Sequence, residues 1–291
     1  MGSADLVPGV SGGTIALVFG IYRRLIDAVR TGSSALGRFV KLDFAGGFSL
    51  LKSVEWIFFI PLVLGIGTAV LLLAGPIEHA LEVYPVQMAG LFLGLVAGSV
   101  VVAWGLIEKR TAARFAVMLG VAVAAFILLG LGASKDAGLA DPPLWAYPAA
   151  GAVAICAMIL PGISGSFILV MLGMYQPVLS AVADRDLFVI AIFALGCVVG
   201  LALFSQLLHW ALHNHYDTVM AALVGLMLGS VRVLWPWPNG VDSTDLAAPS
   251  DFIAITVGLA VVAAAFVVGF NLIATRLEKR TTADEVDDLR V

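Results

Sequence analysis

Two stretches of this chain set a proline, glycines and hydroxyl side chains in the same order: Pro8-Gly9-Val10-Ser11-Gly12-Gly13-Thr14 and Pro161-Gly162-Ile163-Ser164-Gly165-Ser166. Proline and glycine break a helix, and a following serine is a good N-cap for the next one. A helical piece that starts after such a break presents unpaired backbone N–H groups and the positive end of its dipole. Ser11, Thr14, Ser164 and Ser166 add hydroxyls. Gly12, Gly13 and Gly165 let a ligand approach the backbone, while Pro8, Gly9, Pro161 and Gly162 set the loop geometry. This chemistry suits an anion, phosphate above all. The plainer alternative is a serine-capped break inside a helical bundle, with no ligand.

The elements that hold these loops are apolar. The chain has 291 residues, 61% of them hydrophobic and 12% charged, with a mean hydropathy of +1.04. Soluble domains carry about 25% charged residues, so a soluble enzyme, a nucleic-acid binder and a disordered chain are excluded. A helix crosses a bilayer in about 20 apolar residues. Six such spans are expected, at about 56–75, 86–107, 115–133, 187–208, 218–235 and 252–274. Basic residues cluster at 22–52, at Lys109, Arg110 and Arg114, and at Arg276, Lys279 and Arg280. The positive-inside rule makes these segments and the C-terminus cytoplasmic. The tail after Arg280 is expected to lack regular structure, and 33–55 is expected to lie as an amphipathic, interfacial helix. The opening residues, with Asp5 and Pro8, lack the pattern of a cleavable signal peptide.

With the six spans alternating, segment 146–175 begins and ends on the outside. It is too short for two crossings. A hairpin of two half-helices meeting at the Pro161-Gly162 break satisfies that constraint, provided protein or a polar cavity covers the broken backbone. The first motif is followed by Gly20-Ile21-Tyr22 and the second by Gly173-Met174-Tyr175, without gaps. Gly94, Gly98 and Ser99 likewise match Gly225, Gly229 and Ser230. The fold expected is all-α and polytopic, with two inverted-topology repeats of one re-entrant hairpin plus three spans. Their boundaries are 1–133, with loop 8–14, and 134–274, with loop 161–166; a cytoplasmic tail, 275–291, follows. Inverted repeats with interrupted helices are the usual build of secondary transporters. Seven residues before Pro8 span about 10 Å as helix, so the first entering arm is either abbreviated or continued upstream of Met1.

Four charged residues are further candidates. Asp5 has Met158 at the matching place in the second half, and an intramembrane carboxylate is a functional candidate by default. It either exchanges a proton during transport or stabilises a helix end. Arg23 and Arg24, just past the first hairpin, either anchor the chain at the inner surface or capture an anionic headgroup. Arg232 is a weaker candidate for the same task on the outside. His209 and His213 have metal-compatible spacing but no carboxylate cluster beside them, so they read as interfacial residues. No metal and no cofactor are expected, and Cys156 and Cys197 lie in apolar surroundings.

The run Met1–Thr14, ending in Gly20-Ile21-Tyr22, together with Leu160–Ser166, resembles the prokaryotic polyprenyl-phosphate translocases of the PopT type, formerly a membrane domain of unknown function. The resemblance covers almost the whole chain. It implies return of undecaprenyl phosphate, or a related polyprenyl phosphate, from the outer to the inner leaflet of the cytoplasmic membrane. The phosphate would sit against the two loops and the tail would stay in lipid. The partners implied are that lipid, the bilayer and a coupling proton or sodium ion, with Asp5 the coupling candidate; no nucleic acid is involved, and no oligomeric state is set. Two rivals remain. A small-anion channel or carrier would use helix ends equally well. A polyprenyl pyrophosphate phosphatase would need positive charge within the loops, where Gly12 and Gly165 follow the serines.

Overall fold

The computed structural model describes residues 1–5, 11–131, 142–241 and 245–288. Pro8 and Gly9 of the first loop therefore lie outside the described residues. All regular structure among the described residues is helical: α1 (Gly2–Asp5), α2 (Gly12–Val18), α3 (Tyr22–Val40), α4 (Phe44–Ser53), α5 (Trp56–Val83), α6 (Pro85–Gly105), α7 (Ala112–Gly130), α8 (Ala146–Ile159), α9 (Gly165–Met171), α10 (Tyr175–Ala183), α11 (Leu187–Asn214), α12 (Tyr216–Gly229), α13 (Val231–Leu234) and α14 (Ile253–Asp288). In hydrocarbon no water satisfies the backbone, so an apolar run closes its own hydrogen bonds as a helix. Among the described residues six helices are long and apolar enough to cross a membrane: α5, α6, α7, α11, α12 continued through α13, and α14. They coincide with the six spans read from the sequence. Large side chains such as Ile57, Leu71 and Phe266 project from them unburied, as a surface solvated by lipid requires. This is a multi-pass membrane protein.

Lipid tails are as apolar as leucine, so close packing of small residues decides which helices touch. α6 lies against α14, α12 against α7, and α11 against α8. A Cβ on Gly94 would collide with the Ala260 carbonyl, and one on Gly98 would meet the Ala264 carbonyl. On α12, Gly225 and Gly229 press against Met118 and Ala122 of α7 in the same way. Gly196 and Gly200 of α11 meet Pro148 and Ala152 of α8. No comparable arm covers Gly65 of α5, where Gly2 of α1 packs instead on Ile66 and Ala69. At the centre, Val96, Met220, Val224 and Met227 are almost fully buried beside Ala16 and Leu17 of α2.

Segment 146–175, expected to form a hairpin, holds α8 and α9 in contact on either side of a break at 160–164. α9 and α10 then bend by 111°, at Gly173 with φ +67°. α2 turns into α3 at Gly20, with φ +70°. Two expectations change. Segment 33–55 is not one helix: α3 runs to Val40, Leu42 takes a left-handed conformation (φ +61°), and α4 starts at Phe44. Asp43 caps α4 through the Gly46 N–H at 2.9 Å. That bond, with Arg38 beside it, holds the Asp43 carboxyl below its usual range, so the cap persists above the ordinary aspartate pKa and is lost on acidification. The tail expected to be irregular continues as helix to Asp288, since neither glycine nor proline follows Gly269.

One buried acid ties the basic end of the bundle together. Asp217, at the start of α12, receives the Glu108 N–H at 3.0 Å and the Lys109 N–H at 3.4 Å. Its other side meets the Arg114 guanidinium at 2.8 Å. Removing one partner of such a pair leaves a buried charge unmatched. Asp217→Ala is expected to lower stability by about 3 kcal/mol, read as a fall in the unfolding midpoint of the detergent-solubilised protein, whereas Asp43→Ala at the exposed α4 cap is expected to shift that midpoint far less.

Candidate functional site

The two broken loops meet each other directly. Ser11 caps α2 in extended conformation, and its Oγ accepts the Gly13 N–H at 3.0 Å. The same hydroxyl donates across the break to the Met158 carbonyl at 2.9 Å. Thr14 Oγ1 accepts the Gly162 N–H at 3.0 Å. Tyr22, at the start of α3, donates its hydroxyl to the Ile159 carbonyl at 3.3 Å. Each contact satisfies a backbone group that helix α8 leaves open where it ends. Gly13 has no room for a side chain, because a Cβ would stand 2.5 Å from the Ile159 carbonyl oxygen. Gly162 adopts φ +86°, and a Cβ there would press on the Met227 backbone. Ser11 and Thr14 are 1% exposed, so this seam is sealed.

Beside the seam lies a cavity of about 290 Å³. Its polar wall is Asp5, Ser11, Ser164, Gly165 and Ser166; its apolar wall includes Ile155, Met158, Leu169 and Phe193, with Cys197 beside them. The two helix starts differ. Asp5 Oδ1 accepts the Gly12 N–H at 2.6 Å, so with Ser11 on Gly13 the first turn of α2 already carries an anion and a cap. Ser164 makes no cap hydrogen bond to α9. Its hydroxyl instead meets that of Ser166 at 2.8 Å, and both face the cavity with Gly165 between them.

Of the residues singled out in sequence, Asp5, Ser11, Ser164, Gly165 and Ser166 converge on one cavity, while Gly12, Gly13, Thr14 and Gly162 form the seam next to it. Pro161 is fully buried behind the break. The three arginines are elsewhere. Arg24 pairs with Glu55 at 2.5 Å and lies over the Phe58 ring. Arg23 lies over the Tyr216 ring at 4.0 Å, and Arg232 over Phe126 at 5.0 Å. Among the described residues no group of three or more His, Cys, Asp or Glu is placed to hold a metal ion. Sequence reasoning passed over Tyr22 and Asp217. The signal for Tyr22 was its recurrence as Tyr175 in the repeated Gly-x-Tyr; Asp217 gave none, since its partners lie over a hundred residues away.

A family model described as undecaprenyl phosphate translocase-like matches residues 1–250. A polyprenyl-phosphate transporter of Vibrio cholerae is 40% identical over 237 residues, covering 81% of this chain and 75% of its own. One from Staphylococcus aureus is 28% identical over 286 residues, covering 94% of this chain and 92% of its own. No solved structure matches.

The seam generates a stability prediction. Gly13→Ala forces the two loops apart and is expected to cost roughly 2 kcal/mol. Gly20→Ala, where only the positive φ is strained and no neighbour lies within 4 Å, costs about 1 kcal/mol. Unfolding midpoints of the two variants under identical conditions check the order.

Proposed function

The chain belongs to the undecaprenyl phosphate translocase-like family, and we propose that it returns undecaprenyl phosphate, or a related polyprenyl phosphate, from the outer to the inner leaflet, binding the phosphate between its two loops. The observation that carries this is the cavity beside the seam: hydroxyls and a free helix start on one wall, large apolar side chains on the other. A phosphate headgroup on an isoprenoid tail has that same division. Unaided, the headgroup must shed its hydration in hydrocarbon, which is prohibitive. Ser164, Ser166 and the Gly165 N–H replace part of that shell, and the Ser11 hydroxyl joins them when it leaves the Met158 carbonyl.

Passage then requires the seam to part. Gly12, Gly13 and Thr14 hold it closed from one side and Pro161 and Gly162 from the other, and once it opens their N–H and hydroxyl groups join the phosphate shell. We assign residues 1–133 and 134–274 to two inverted repeats, with the C-terminal tail in the cytoplasm. The exchanged pairing, α6 with α14 and α12 with α7 through matched glycines, supports that division. Rocking of such halves gives access to either leaflet in turn.

Asp5 is the coupling residue in this scheme. It lines the phosphate cavity, and one of its oxygens accepts the Gly12 N–H; with both groups ionised, carboxylate and phosphate repel and each raises the other's proton affinity. Protonating Asp5 favours phosphate binding, and by linkage phosphate binding favours the proton.

Reconstituted in liposomes, the wild type is expected to move undecaprenyl phosphate between leaflets, and Ser11→Ala with Ser164→Ala to slow this at least about tenfold with folding intact. A wild type that moves no lipid under a pH gradient or a membrane potential, yet takes up a small anion, overturns the proposal in favour of an anion carrier. Asp5→Asn is expected to keep movement at uniform pH and to lose its response to a pH gradient; an unchanged response removes Asp5 from coupling.

A further inference from the structure

We infer a second site for a phosphate monoester, built by Arg23 of α3 and His213 of α11 at the basic end of the bundle. Its role in lipid transport rests on the function proposed above; its affinity for the monoester does not. The site is a cavity of about 230 Å³ lined by Arg23, Ile26, Asp27, His209, Leu212 and His213. A second cavity of about 280 Å³ adjoins it, sharing Arg23 and His213.

The charges around these cavities are mostly spent on one another. Asp27 Oδ1 lies 2.6 Å from His209 Nδ1. Asp217 is taken by Arg114 and two backbone N–H groups. Arg24 is taken by Glu55. Arg23 has no carboxylate partner among the described residues: its guanidinium lies over the Tyr216 ring, which leaves its N–H edge for an acceptor. Glu108 lines the second cavity but not the first. The His213 ring stacks on that of His209, centroids 6.3 Å apart and 6° from parallel, with His209 held in turn by Asp27. Arg23 and a positioned imidazole thus converge from two helices on one space. A monoester carries about −1.5 to −2 charges near neutral pH, and a guanidinium edge with an imidazole N–H matches its oxygens. Ile26 and Leu212 give the site an apolar floor on which the first carbons of a prenyl chain rest.

The position in the fold supplies the function. Tyr22, whose hydroxyl reaches the seam at Ile159, immediately precedes Arg23, so the first turn of α3 joins the central cavity to this one. The matching position in the second half is Gln176, and Pro177 stands opposite Arg24. The second half thus carries no cation at the positions that match Arg23 and Arg24. Affinity sets no direction for a passive cycle; it makes the state open to the basic end the one that retains the headgroup.

The test uses the full chain in nanodiscs, with farnesyl phosphate and inorganic phosphate as probes and binding measured by calorimetry. In a Ser164→Ala, Ser166→Ala background, farnesyl phosphate is expected still to bind, and adding Arg23→Gln or His213→Gln is expected to weaken it about tenfold. Arg38→Gln, at a separate exposed ion pair, is expected to leave affinity unchanged. Two substitutions on different helices guard against a folding defect in either. Binding that ignores both overturns the site, as does loss of all binding in the serine background alone. Inorganic phosphate binding as tightly as farnesyl phosphate overturns the lipid assignment and identifies free phosphate as the occupant. Failure of the central reading registers separately, as unchanged lipid movement by the serine variant with its second site intact.

Discussion

Backbone that leaves the helix inside a membrane must find its hydrogen bonds in protein, and here the break after α8 finds them in side chains of the first loop and of α3. Ser11 reaches the Met158 carbonyl, Thr14 takes the Gly162 N–H, and Tyr22 takes the Ile159 carbonyl. These bonds tie the first loop to the end of α8, set a polar wall in an apolar bundle, and leave the α9 start without a side-chain cap. The asymmetry between the ends follows from Asp5. By accepting the Gly12 N–H it leaves the two helix starts unlike: α2 is held by Asp5 and Ser11, whereas α9 has no side-chain cap.

The same seam explains the packing around it. α2 and the break after α8 approach closely only because Gly13 lacks a side chain. The spans that flank them close through glycines on α6 and α12, each pressed against a helix from the other half of the chain. The two halves of the chain are therefore interleaved through the α6–α14 and α12–α7 contacts.

Much of this was legible in the sequence because it rests on local chemistry. Continuous apolar runs such as 187–208 mark spans whatever surrounds them, and Pro161-Gly162 with serines after it marks a helix break. The convergence of Ser11 with Ser164 followed from the repeat of one motif. What was not legible depends on distant pairing. Arg24 read as a free cation until Glu55 met it. His209 read as a belt residue until α3 continued far enough to set Asp27 beside it. Nothing near Thr14 in the sequence announced that its hydroxyl accepts the Gly162 N–H, 148 residues away. In each case the residue type set the chemistry and the fold chose the partner.

The central claim is that a phosphate headgroup occupies the cavity beside the seam. Ser166 lines that cavity from the open helix start. With Cys156 and Cys197 replaced by alanine and Ser166→Cys introduced, the rate of maleimide labelling in proteoliposomes reports whether the cavity is filled. Undecaprenyl phosphate is predicted to slow labelling in proportion to its occupancy, and the corresponding polyprenol, which lacks the phosphate, to leave it unchanged. Equal labelling with both lipids contradicts the account.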